Sequence, residues 1–205
     1  MSRAYFNHRF SDDLDLFVNN NDNYHSLVGT LFHLLEASEK QGSFRINREY
    51  IRKSEHFTQL LLEKEHSGET VNLKIDLVND TARHYGEFLQ HETMGRVDSM
   101  RNILSNKIAA VFRYEAKDLA DLLFLARNMR FSWRDVFREA LSKEAGADPV
   151  AIYNILKSAP ADLFDTLKWI DVPDPVALFS DLARMADDLF KGGENSLFAE
   201  KPRTM

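Results

Sequence analysis

The pattern of apolar and polar positions divides the chain into two halves. "DLDLFVN" alternates with a period of two, as a strand with one buried face does. "YHSLVGTLFHLLEASEKQG" places Leu27, Leu31, Leu34 and Leu35 at helical spacing and ends at Gly42, a helix stop. "SFRINREYIRKSEHFTQLLLEKEH" alternates again, "SGE" signals a turn, and "TVNLKIDLVND" reads as another strand. Roughly the first 80 residues therefore predict a sheet with a helix packed on it. From Asp98 the period changes to 3.6. "DSMRNILSNKIAAVFR" sets Ile103, Leu104, Ile108 and Val111 on one side, and five further helical segments follow, through "DPVALFSDLARMADDLF". Ser132 is placed to cap one of them and Gly146 to close it. Asp148-Pro149 and Asp174-Pro175 read as caps followed by Pro at the first helical position.

The predicted fold class is α+β: a small mixed β-sheet with packed helices, followed by an all-helical C-terminal lobe. The expected domains are 1–95 (α+β), 96–190 (helical) and a flexible tail, 191–205. Their boundary falls in "TARHYGEFLQHETMG".

Composition narrows the class. At 205 residues and 44% hydrophobic, the chain suffices for one sizeable core or two small ones. The absence of cysteine excludes disulfides, thiolate metal sites and a Cys nucleophile, and fits a cytoplasmic protein. No apolar run is long enough to span a membrane, and the N-terminus carries no signal-peptide pattern. A net charge of −6 argues against a broadly basic nucleic-acid-coating protein. A local strip, Arg45, Arg48, Arg52 and Lys53, reads either as an RNA-backbone contact or as a charged sheet edge.

The chemistry lies in the acidic positions. In a strand, residues i and i+2 share a face, so Asp13 and Asp15 project together while Leu14 and Leu16 point into a core. Two carboxylates held close repel each other unless a cation lies between them, and Mg²⁺ favours such oxygens together with substrate phosphates. Asp76 interrupts the apolar strand "NLKIDLV". If that strand lies beside "DLDLF", Asp76 joins Asp13 and Asp15, and three carboxylates could hold one or two metal ions for phosphoryl chemistry. The plainer alternative makes Asp12 and Asp13 turn residues and Asp15 an edge charge against aggregation. His84 and His91 are spaced to share a helix face as metal ligands, but a surface linker is the better account of them.

"HRFSDDLDLFVN", "LKIDLVND" and "NILSNKIAAVFRYEAKDLADLLFLA", in that order, resemble the AbiEii/AbiGii toxin-like nucleotidyltransferases of the DNA polymerase β superfamily. The resemblance runs from about Ser2 to Trp169. It implies transfer of NMP from an NTP to an RNA (tRNA-like) or protein hydroxyl, within a toxin–antitoxin or phage-defence system that includes a cognate antitoxin. It further implies Mg²⁺ on Asp13, Asp15 and Asp76, with Asp76 also drawing the acceptor's proton. Substrate contacts map onto Lys107, Lys117, Asp118 and Asp121. In one unbroken helix Lys107, Asp118 and Asp121 would share a face; a break near Tyr114 to Ala116 would spoil that.

One departure stands at the front. Members of that family carry a Gly-Gly-Thr or Gly-Gly-Ser turn before the Asp-x-Asp strand, where its N–H groups hold phosphates. Here "MSRAYFNHRFSDD" reads as the short helix that follows such a turn. A late-assigned start, a truncation or a lost phosphate cradle would each explain this. The last alternative is a catalytically inactive binding module of the same fold.

Overall fold

The computed structural model describes residues 2–11 and 13–198, and the reading of Asp12 as a turn or shielding charge lies outside them. The chain forms two compact units, Ser11–Ala82 and Met1–Phe10 with Arg83–Met205.

The first unit is the predicted sheet and helix. Strands β1 (Asp13–Asn19), β2 (Arg45–Lys53), β3 (Phe57–His66) and β4 (Glu69–Asp80) lie in the order β1-β4-β3-β2, and helix α1 (Tyr24–Lys40) joins β1 to β2. The β1–β4 pair is parallel and the other two are antiparallel. Alternation along β3 and β4 sends Leu60, Leu62, Ile75 and Leu77 to one face, where they pack with Ile46 and with Tyr24 and Val28 of α1. The Tyr24 hydroxyl is buried there, 2.9 Å from the Leu77 carbonyl and 3.1 Å from Thr58 Oγ1. Leu14 and Leu16 pair with Ile75 and Leu77 on this face but remain 41% exposed, because β1 is an edge strand. They flank the core and do not fill it. Strand β2 carries an irregularity between Asn47 and Arg52 that interrupts its pairing with β3.

The second unit is mainly helical: α2 (Met100–Ala110), α3 (Ala116–Asn128), α4 (Trp133–Lys143), α5 (Pro149–Ser158) and α6 (Pro175–Lys191). "ADLFDT" forms a single 3₁₀ segment, Ala161–Thr166, instead of an α-helix. Leu104, Ile108, Leu119, Leu122, Leu123, Trp133, Ile152 and Met185 are among the buried side chains of one core. Asp148 and Asp174 accept hydrogen bonds from the backbone N–H of Ala151 and Ala177, as expected of caps ahead of Pro. Ser132 holds its N-cap position without a side-chain cap bond, and α4 ends at Glu144, short of Gly146. Gly192, at φ +63°, closes α6 in the left-handed conformation.

This unit differs from the predicted helical lobe at both ends. Residues 2–10 belong to it: Phe10 N–H donates to the Lys168 carbonyl (2.8 Å) and Ile170 N–H to that of His8 (3.1 Å). The boundary after the sheet falls at Ala82, not at 95. The intervening segment includes a hairpin, β5 (Leu89–His91) and β6 (Gly95–Val97), so His84 and His91 share no helix. His84 instead pairs with Asp98 at 2.7 Å and stacks on Phe88. The tail does not fray at 191: Asn195 Nδ2 donates to the carbonyls of Ala126 (2.6 Å) and Met129 (2.7 Å), and Leu197 is buried. Residues 199–205 lie outside the described chain.

Asp174→Ala removes the side-chain acceptor that starts α6. It should destabilise the protein by about 1 kcal/mol in urea denaturation, without a change in m-value.

Candidate active site

The pairing of β1 with β4 decides what the acidic side chains can do together. Asp13 lies opposite Lys74 and Asp15 opposite Asp76. The same alternation that turns Ile75 and Leu77 toward α1 turns Asp13, Asp15, Lys74 and Asp76 to the other face. The conditional expectation for Asp76 is therefore met: it shares a face with both aspartates of the Asp-x-Asp strand.

Two residues unforeseen from the sequence complete the face. Gln59, opposite Asp76 on β3, donates from Nε2 to Asp76 Oδ1 at 2.8 Å. Lys74 Nζ lies 3.2 Å from Asp76 Oδ2 and 3.5 Å from Asp13 Oδ1. The i, i+2 rule that joins Asp13 to Asp15 also joins Lys74 to Asp76, so the signal was present in "LKID". The donor set suits a hard divalent cation, since it offers carboxylate oxygens from adjacent strands. Among the described residues no three acidic or imidazole side chains converge as a ready-made cage. The group between Asp13 and Asp76 is the Lys74 ammonium.

The cations of β2 are largely engaged within the unit. Arg45 pairs with Glu63, and Arg48 Nη2 lies 2.6 Å from Glu39 Oε2. The hydrogen bond from Arg48, with a second from the Ile46 N–H, holds the Glu39 carboxyl down to about 2. Arg52 donates to the Glu49 carbonyl, and Lys53 lies 4.5 Å from the Phe32 ring centre. The charged-edge reading describes Arg45 and Arg48 better than an open RNA contact does.

In the helical unit, Lys107, Asp118 and Asp121 do come together, though not in one helix. After α2 a 3₁₀ turn, Val111–Arg113, leads into Tyr114 at φ +54°, and α3 starts afresh at Ala116. Helices α2 and α3 pack against each other. Lys107 Nζ thereby lies 2.7 Å from Asp118 Oδ1 and 2.7 Å from Asp121 Oδ2. Both carboxylates are only 1% exposed. Arg113 Nη2 lies 3.0 Å from Asp118 Oδ2. Lys117 points elsewhere, pairing with Glu115 at 3.1 Å.

Asp121 gathers two further partners, His8 and Arg9, from the N-terminal segment. Arg9 binds it in a fork, Nε to Oδ1 at 2.9 Å and Nη2 to Oδ2 at 2.8 Å, and His8 Nε2 lies 3.0 Å from Oδ1. An ionised carboxylate only accepts, so His8 carries its proton on Nε2. Its Nδ1 is buried without a hydrogen-bond partner among the described residues, and the ring stacks on Phe124. Burial, the largest single influence on Asp121, would raise its pKa. Hydrogen bonds from His8 and Arg9, with the charges of Lys107 and Arg9, outweigh it and hold the carboxyl far below the usual carboxylate range. "NHRF" gave no signal of this role, because its partner stands more than 100 residues away.

Asp121→Asn leaves the buried Arg9 guanidinium without its anion and takes one of two carboxylates from Lys107, and should destabilise the fold by about 3–5 kcal/mol in urea titrations. The native Asp121 pKa is depressed, so its stabilisation is complete above the unfolded value near ~3.9 and is lost as pH falls below it. Wild-type stability should therefore fall more steeply than the variant's between about pH 5 and pH 2.

Comparison with known proteins fits this architecture. Two crystal structures from Helicobacter pylori share the fold. JHP933 has 23% identity and a TM-score of 0.52, covering 92% of this chain and 79% of its own. A protein titled as a nucleotidyltransferase has 22% identity and a TM-score of 0.54, covering 92% and 82%. No curated protein matches in sequence. The model of the nucleotidyl transferase AbiEii toxin family matches residues 1–195. With the Asp-x-Asp strand beside the strand of Asp76, and with Lys107 paired to the two aspartates of "KDLAD", this match over nearly the whole chain establishes that it belongs to the AbiEii family of nucleotidyl transferase toxins of type IV toxin–antitoxin systems.

Proposed function

We propose that this nucleotidyltransferase moves an NMP group from an NTP to a hydroxyl on RNA, in particular a tRNA-like acceptor, or on a protein. The observation that carries the reading is the parallel register that sets Asp15 opposite Asp76, with Asp13 on the same face. Asp13, Asp15 and Asp76 would hold Mg²⁺, which when bound supplies charge neutralisation for the triphosphate. Asp76, held at Oδ1 by Gln59, accepts the proton of the acceptor hydroxyl. The hydroxyl oxygen bonds to the α-phosphorus, the bond from that phosphorus to the bridging oxygen breaks, and pyrophosphate leaves with the electron pair.

On the helical unit, Lys107 is assigned to substrate phosphate, with Asp118 and Asp121 fixing its ammonium, and Lys117 as a more exposed contact. Among the described residues no helix is long and apolar enough to cross a membrane. The toxin–antitoxin family makes a cognate antitoxin the proposed protein partner. A second reading, a binding module of the same fold without catalysis, draws on the Lys74 ammonium lying between two of the expected metal ligands.

Incubation with each α-labelled NTP, Mg²⁺ and total tRNA should transfer label to RNA. Asp76→Asn should lower the rate by about 10²–10⁴-fold, as loss of a general base does. Label on no acceptor, with NTP binding retained, would establish the non-catalytic module.

A further inference from the structure

The acidic face of the sheet carries a cation of its own. Lys74 reaches Asp76 because the two stand at i and i+2 of β4, and reaches Asp13 because β1 and β4 pair in that register. Comparison with Lys107 shows how differently two lysines between two carboxylates can be held. Lys107 makes two contacts of 2.7 Å to carboxylates that are 1% exposed. Lys74 stands off at 3.2 and 3.5 Å, is 27% exposed, and faces carboxylates that are 15% and 25% exposed. The first is a tight ion pair between a lysine 18% exposed and two buried carboxylates. The second is more open to solvent, and the two contacts to Asp13 and Asp76 are longer than charge-assisted hydrogen bonds ordinarily are.

Asp76 does not depend on Lys74 for its orientation, since Gln59 already fixes Oδ1 and leaves Oδ2 toward the lysine. An ammonium on a flexible four-carbon stem can swing away without moving the strand. A divalent ion offers the same carboxylates twice the charge and a preference for their oxygens.

We propose that Lys74 is an exchangeable counter-ion: its ammonium neutralises Asp13 and Asp76 until a divalent cation takes those carboxylates, and is then released to meet an anionic phosphate on the same face. The proposal rests on the reading that Asp13, Asp15 and Asp76 hold the metal. Exchange keeps the aspartates from repelling each other in the metal-free protein, and it makes lysine release a consequence of metal arrival.

Two measurements on the full chain test it. Mn²⁺ alone is titrated calorimetrically into wild type and Lys74→Met. Wild-type lysines are also acetylated with and without saturating Mn²⁺ and counted by mass spectrometry. Exchange predicts about tenfold or more tighter Mn²⁺ binding to the variant, since the competing ammonium is gone. It also predicts a several-fold rise in acetylation of Lys74 on Mn²⁺ addition, with Lys107 and Lys157 unchanged. Mn²⁺ binding to Lys74→Met alone would support the proposal in its strongest form, a lysine that holds the site shut. Mn²⁺ binding to wild type with Lys74 acetylation unchanged would overturn it and leave a fixed salt bridge, with the metal reading intact. Absence of Mn²⁺ binding to either protein would remove the metal reading and the proposal together.

Discussion

Strand β4 is paired on both edges, parallel to β1 and antiparallel to β3, and that constraint organises the α+β unit. A one-residue slip of β1 against β4 would invert every side chain of one strand relative to the other. Leu14 and Leu16 would leave the apolar face, and Asp13 and Asp15 would turn toward α1. Burying carboxylates against Tyr24 and Val28 would be far costlier than half-exposing two leucines. The hydrophobic pattern of β4 thus fixes where the charges of β1 point.

A different economy governs the helical unit. Its charged centre is buried, and every carboxylate oxygen of Asp118 and Asp121 lies beside a cation. Such a cluster contributes little net stability over an apolar equivalent but severely penalises loss of one member. It also fixes geometry: the N-terminal segment, α2 and α3 meet at Asp121. The two units use aspartate in opposite ways, exposed and loosely neutralised on the sheet, sealed and tightly paired among the helices.

Much of this was legible in the chain, where local rules sufficed. Alternation located β1, β4 and the stretch that divides into β2 and β3, and the i, i+2 rule put Asp13, Asp15 and Asp76 on one face once the strands were adjacent. Asp148-Pro149 and Asp174-Pro175 marked helix starts because capping chemistry is local. What escaped was non-local. Helical spacing led to the right neighbours for Lys107 through the wrong geometry, since Tyr114 ends one helix and packing of the next restores the contact. His8 and Arg9 were read within a short helix leading into the Asp-x-Asp strand, yet they belong to the other unit. Leu14 and Leu16 looked like core because period two reports a face, not whether the strand lies at the edge of the sheet.

The chain enters the helical unit, leaves it at Phe10 and returns at Arg83, so the α+β unit is an insert within a host. The insert contains all its own strand pairings and is synthesised whole before Asp121 is added. His8 and Arg9 are translated before the insert, but their partner is more than 100 positions downstream of them. The host cannot close its charged centre until most of the chain exists, whereas the insert has every element it needs early. Prior folding of the insert shortens the effective loop between Phe10 and Arg83 and lowers the entropy lost when the host finally closes.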